Sequence, residues 1–147
     1  VDHIIDAQGK EVESFRPTIV RKVISPQTSE QILDILKTVT LKGGTAEGAS
    51  MNSFQVFGKT GTAQKVDPLT GAYSKKDYVS NFIGGIIDAS GKPRLTMIVC
   101  INEPRLYYYA SIVACPAFKN IMQKCTNIMD VSPNITVASK GGTGEGI

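Results

Sequence analysis

Apolar positions along the chain follow two different periods. From Ile32 to Val39 they recur at helical spacing, with Ile32, Leu33, Ile35, Leu36 and Val39 on one face. Just ahead, Ser25 is a good N-cap, Pro26 suits the first helical position, and Glu30 suits the positive end of the helix dipole. The pattern predicts a helix from Pro26, closed by Gly43-Gly44, because glycine takes the left-handed cap conformation. A second helix is predicted from about 111 to 128, with Ile112, Cys115, Phe118, Met122 and Cys125 on one face. Pro116 lies inside that run and weakens its first turn, so the regular helix is expected to start near Pro116.

Between the helices the period changes. Three β-rich runs, "FQVFGKTGTAQKV" (54–66), "DYVSNFIGGIID" (77–88) and "RLTMIVCIN" (94–102), are joined by "DPLTGAYSKK" and "ASGKP". Short links favour an antiparallel meander in chain order, with the first run at an edge. The opening "VDHIIDAQGKEVESF" reads as two short strands around an Ala-Gln-Gly-Lys turn, and "TIVRKVI" after Pro17 as a further short extended run. The last stretch, 131–147, has no periodicity and is expected to be a flexible tail. The fold class is therefore α+β: an antiparallel three-strand meander with packed helices.

Composition narrows the chemistry. A chain of 147 residues holds one domain with a real core. Its net charge of +3, without a basic stripe interleaved with aromatics, argues against nucleic acid. With one histidine and three cysteines lacking CxxC spacing, no zinc site can be built, and no cofactor or metal is expected. Cys100, Cys115 and Cys125 read as small buried hydrophobes. The longest apolar stretches are far short of a membrane span, and with Val1 opening directly into "VDHIID" no signal peptide is expected within the sequence.

One stretch carries candidate chemistry. "VFGKTGTAQK" (56–65) could end a phosphate-binding loop, but that motif needs glycine at position 53, where Ser53 stands, and a helix afterwards. Residues 61–66 read as strand or turn instead. Lys59-Thr60-Gly61 spells the Lys-Thr-Gly motif of penicillin-interacting serine enzymes. A lysine on a strand offers a fixed positive charge to a carboxylate. Flanking threonines offer hydroxyls, glycine allows close backbone approach, and a free strand edge can pair with a peptide. The bland alternative is an exposed strand on which Lys59 only solubilises an edge.

The match extends beyond three letters. "FQVFGKTGTAQK" resembles the third-motif strand of class B penicillin-binding proteins, "YVSNFIGGIIDASGKPRLTMIVCINEP" their next two strands, and "YYYASIVACPAF" the start of their last helix. "PTIVRKVISPQTSEQILDILKTVTLKGGT" resembles the preceding helix, so the resemblance covers roughly 1–130. Lys65 after "GTAQ" and the "INEP…YYY" run are most similar to the septal, cell-division type. Tyr109-Ala110 stand where such enzymes usually carry two glycines, and Cys115 replaces a usual alanine.

The resemblance implies a β-lactamase/transpeptidase-like fold and a serine D,D-transpeptidase that cross-links peptidoglycan stem peptides and is acylated by β-lactams. It implies that Lys59 stands beside the active serine and that Thr60 and Thr62 offer hydroxyls to the substrate carboxylate. Gly61 would keep the strand clear, and the Thr62 backbone N–H would be an oxyanion donor. It further implies partners in the complete protein (a membrane glycosyltransferase and divisome proteins), an extracytoplasmic place in the bacterial envelope, and an N-terminal anchor. The first motif, Ser-x-x-Lys, occurs nowhere in the chain. Ser50-Met51-Asn52 spells the second, Ser-x-Asn, but after the first helix instead of well before it. The expectation is a partial domain over 1–130 that lacks the nucleophile and is silent alone. A penicillin sensor or serine β-lactamase of the same fold, or a binding-only module, stays open beside it.

Overall fold

The Ser25 hydroxyl accepts a hydrogen bond from the Thr28 N–H at 3.1 Å, and helix α1, Pro26–Thr38, starts where that cap predicts. It ends sooner than Gly43-Gly44. The hydroxyls of Thr38 and Thr40 turn back to the carbonyls of Ile35 and Lys37, and buried Thr40 also donates to the Val56 carbonyl at 2.8 Å. The glycines shape the turn beyond, Gly43 with φ of +80°. None of the helix is buried, and Ile32 and Ile35 stand exposed.

In this computed structural model, residues 2–135 are described. The chain divides into two compact units between Glu30 and Gln31. In the first, strands β1 (His3–Ile5) and β2 (Glu11–Ser14) pair antiparallel around a turn in which the Asp6 carboxylate accepts the amides of Gln8 and Lys10. The expected extended run at 18–24 forms no strand. Ile19, Val20 and Val23 lie open, and without a partner for its backbone groups an extended segment has no ladder to join.

In the second unit β3 (Val56–Val66), β4 (Tyr73–Ile87) and β5 (Pro93–Asn102) form one antiparallel sheet in the order β3-β4-β5. The order, the three runs and the edge position of β3 agree with the sequence pattern. Helix α2 spans Ala110–Ile128, starting six residues before Pro116. The first turn needs no intrahelical amides. The Ala110 N–H goes to Thr62, and those of Ile112 and Val113 go to the Tyr109 carbonyl. Pro116 therefore removes a single ladder bond, and Gly48, in a short 3-10 turn at Glu47–Ala49, packs close to it.

The core lies between the sheet and α2. Phe82 and Ile86 of β4 meet Ala114, Phe118 and Met122, with the rings of Phe82 and Phe118 edge-to-face at 4.7 Å. Each fully buried ring contributes about 1.5–3 kcal/mol. Leu95, Met97, Val99 and Ile101 of β5 cover the flank. The alternation that turns these four inward turns Cys100 outward, so Cys100 is exposed, not the buried hydrophobe expected; Cys115 is buried and Cys125 half-buried.

The tail expected from residue 131 is tied down over its first five residues. Pro133 bridges Asp88, the Ser132 carbonyl accepts the Ala89 N–H, and the Asn134 side chain accepts the Gln55 N–H at 2.8 Å. The remainder, 136–147, lies outside the described residues.

Candidate active site

Lys59, Thr60, Gly61 and Thr62 occupy the middle of β3, opposite Ile83, Phe82, Asn81 and Ser80 of β4. Alternation divides them between two faces. Lys59 and Gly61 share a face with Ile83, Asn81, Ile98 and Cys100. Thr60 and Thr62 share the other with Phe82 and Ser80, toward α2.

The direction of the backbone groups follows from one bond. The Ile87 N–H donates to the Gln55 carbonyl at 2.9 Å, which makes that pair the hydrogen-bonded kind. Hydrogen-bonded and open pairs alternate along an antiparallel ladder, and the register is unbroken from Val56 to Gln64. Lys59 and Gly61 are thereby bonded to β4, while the N–H and C=O groups of Thr60 and Thr62 point off the free edge. The Lys59 ammonium agrees with that geometry, donating to the Thr60 carbonyl at 2.8 Å. Among the described residues, no strand lies beyond that edge.

Beside Lys59 is a cavity of about 350 Å³ lined by Leu36, Phe57, Gly58, Ile83, Gly84 and Thr96. Its walls are apolar apart from Lys59 and Thr96. Gly58 and Gly84 stand directly opposite each other, and the Phe82 ring fills the room they leave. Gly61 also has a neighbour on its open face. The place a side chain would take there is occupied by the Asn81 amide. The Thr62 hydroxyl also has a task inside the fold, accepting the Ala110 N–H at 3.2 Å. That bond sets the N-terminal, partially positive end of α2 against the site strand.

The two Ser-x-Asn triplets are elsewhere. Ser50 follows the 3-10 turn and lines a separate small cavity with Thr40, Phe54 and Ile135. Ser132-Pro133-Asn134 spells the same pattern, unnoticed from sequence, and its Asn134 secures Gln55. Neither borders the Lys59 cavity. No group of His, Cys, Asp and Glu suited to a metal occurs among the described residues.

Sequence reasoning missed the contacts that tie β3 and β4 to the segment between β5 and α2. Lys65 pairs with Glu103, the Ser80 hydroxyl donates to the Tyr108 carbonyl, and the rings of Tyr78 and Tyr108 stack at 4.1 Å. The Tyr108 hydroxyl donates to that of Tyr109, chiefly for which its pKa lies above the usual phenol value. Lys65 and the "INEP" letters entered the sequence reading only through the resemblance, and nothing in them shows what Glu103 reaches.

Residues 1–123 match the family described as the penicillin binding protein transpeptidase domain. The chain is 36% identical over 114 residues to the probable peptidoglycan D,D-transpeptidase PenA of Neisseria flavescens, covering 77% of this chain and 28% of that protein. It is 32% identical over 130 residues to the peptidoglycan D,D-transpeptidase FtsI of Escherichia coli K12, covering 82% and 21%. Against stage V sporulation protein D of Bacillus subtilis the identity is 34% over 125 residues, covering 84% and 19%. The crystal structure of penicillin binding protein 3 from Mycobacterium tuberculosis complexed with ampicillin superposes with a TM-score of 0.75 at 25% identity, covering 94% of this chain and 32% of that one. The chain thus spans between about a fifth and a third of the proteins it matches.

Proposed function

The chain belongs to the penicillin-binding protein transpeptidase family, and from that premise we propose that it is the substrate-binding strand region of a peptidoglycan D,D-transpeptidase of septal type. In that reaction a serine Oγ attacks the carbonyl of the penultimate D-Ala of a stem peptide, and the terminal D-Ala leaves with the proton the serine gives up. An amine of a neighbouring stem then attacks the ester, forms the cross-link and returns the serine. A β-lactam enters by the same attack, its ring amide opening.

The observation that carries the reading is the free edge of β3. The Thr60 and Thr62 backbone groups point off it, next to the Lys59 ammonium and the α2 N-terminus. A stem peptide can add to that edge as a strand, with Lys59 drawing its carboxylate and the Thr60 hydroxyl donating to it. The Thr62 N–H then faces the developing oxyanion, a contribution worth about 3 kcal/mol per donor in acyl-transfer enzymes. Thr62 can still donate its hydroxyl proton while accepting from Ala110. Gly61 serves by admitting the Asn81 amide.

The nucleophile is supplied by a Ser-x-x-Lys segment outside these 147 residues, because no such spacing occurs within them. The complete protein works on the extracytoplasmic face of the membrane, anchored by an N-terminal segment, with a membrane glycosyltransferase and divisome proteins as partners. The test is the site of penicillin attachment. Full-length protein labelled with fluorescent penicillin and digested should carry the label on a serine outside Val1–Ile147, and the 147-residue chain alone should stay unlabelled. Label on any residue of Val1–Ile147 refutes the assignment of the nucleophile, and rapid loss of the label points to a β-lactamase.

A further inference from the structure

Past Gln64 the pairing of β3 with β4 shifts register and resumes at Val66 with Tyr73, so the strand passes an irregularity just beyond the site. Three residues beyond Thr62, Lys65 reaches over the central strand to Glu103, the residue directly after β5. The Glu103 N–H is bonded to the Tyr78 carbonyl at 2.9 Å, which seats the pair across β4 at Tyr78. From Glu103 the chain runs on to Tyr108, fixed by Ser80 and stacked on Tyr78, and then to Ala110, whose N–H is held by Thr62. The segment 103–109 is thus a strap crossing the sheet, tied to β3 at both ends.

The outer tie has a backbone cost. Glu103 has φ of +51°, in the left-handed region where a glycine would be unstrained. A strained residue that also makes the only ion pair tying β3 to the segment after β5 among the described residues invites a functional reading. We propose that Lys65 and Glu103 are positioning residues: their ion pair sets the height and twist of β3 so that the Thr62 N–H and the Lys59 ammonium meet the substrate. This rests on the role given to β3 above. Neither residue touches substrate; both act through the strand.

The experiment measures the second-order rate of acylation by fluorescent penicillin in the full-length protein, together with the thermal midpoint of each variant. The pair is partly exposed, so removing it should slow acylation by about 2- to 5-fold, the range for such pairs. Glu103→Gln and Lys65→Gln should each show that loss, and together no more than either alone. The exchanged pair Lys65→Glu with Glu103→Lys should recover at least half of the lost rate. Glu103→Gly should keep or raise the thermal midpoint, having lost the strain, yet acylate as slowly as Glu103→Gln. Unchanged rates in Glu103→Gln, additive losses in the double variant, or rates that merely track the midpoint overturn the proposal. Lys59→Ala separates the two levels of argument. If it acylates normally, β3 is not the site and both readings fall; if it is impaired while Glu103→Gln is not, only the positioning role falls.

Discussion

Replacing Gly58 by alanine tests why the site strand is built on glycine. A Cβ at this position would lie 2.5 Å from the Ile83 carbonyl oxygen, 2.5 Å from Cζ of Phe82 and 2.9 Å from Cα of Gly84. Two of these atoms are backbone of β4 and cannot rotate away. The third belongs to a fully buried ring held edge-on by Phe118. Overpacking a core typically costs about 1–3 kcal/mol, and backbone collisions put Gly58→Ala near ~3 kcal/mol. The lower chain entropy of alanine offsets about 0.5–1 kcal/mol of that, for a net loss of about 2 kcal/mol. With a urea dependence of about 2 kcal/mol per molar, the unfolding midpoint should fall by about 1 M. Far-UV circular dichroism through a urea series measures it. Gly61→Ala is the internal control, since all three close atoms there belong to the Asn81 side chain, which can turn aside. Its midpoint should shift by less than about 0.5 M, an overpacking cost at the low end. Equal midpoints for the two variants, or no change in Gly58→Ala, would refute the claim that close strand approach dictates glycine at 58.

Three further outcomes are expected from the geometry. Ser25→Ala should weaken the start of α1 by about 1 kcal/mol, read as roughly 5-fold faster amide exchange at Thr28. A thiol reagent at pH 8 should modify exposed Cys100 first and buried Cys115 last, because burial pushes the Cys115 thiol up to about 11. Its folded pKa is the higher one, so the stability it contributes is complete below pH 9 and drains away toward pH 11, where the advantage of wild type over Cys115→Ala in a denaturation series should shrink. Ile83 and Ile98, 54% and 59% exposed, form an apolar patch beside Lys59, and Ile83→Thr with Ile98→Thr should reduce self-association of the 147-residue chain in sedimentation velocity.

The features legible in the sequence were those set by local spacing. Ser25-Pro26 announced α1, short turns announced the meander, and Lys59-Thr60-Gly61 marked β3 as the candidate site strand. The misread features depend on partners far along the chain. Where α1 ends is decided by Thr40 reaching Val56, and where α2 begins is decided by Thr62 accepting the Ala110 amide. The run 18–24 has strand composition but pairs with no strand among the described residues, which composition cannot reveal. Residues 131–135 lack periodicity yet are fixed by bonds to Gln55 and Ala89. Within the site, residue types indicated a carboxylate-binding strand, but only the register shows that the Thr60 and Thr62 backbone groups face the open edge.

The most direct test of the account is the rate of acylation by fluorescent penicillin in full-length Lys59→Ala, with its thermal midpoint alongside. Lys59 is exposed at a cavity rim and, among the described residues, its ammonium is bonded only to the Thr60 carbonyl, so its removal leaves the core intact. The account predicts a midpoint unchanged within error and a rate lower by on the order of 100-fold, the scale for losing one charge-stabilising group in acyl transfer. Lys59→Arg should recover only part of it, because a planar guanidinium does not replace a compact ammonium. Acylation of Lys59→Ala within about 3-fold of wild type, a difference of under about 1 kcal/mol, would contradict the assignment of β3 as the substrate-binding strand.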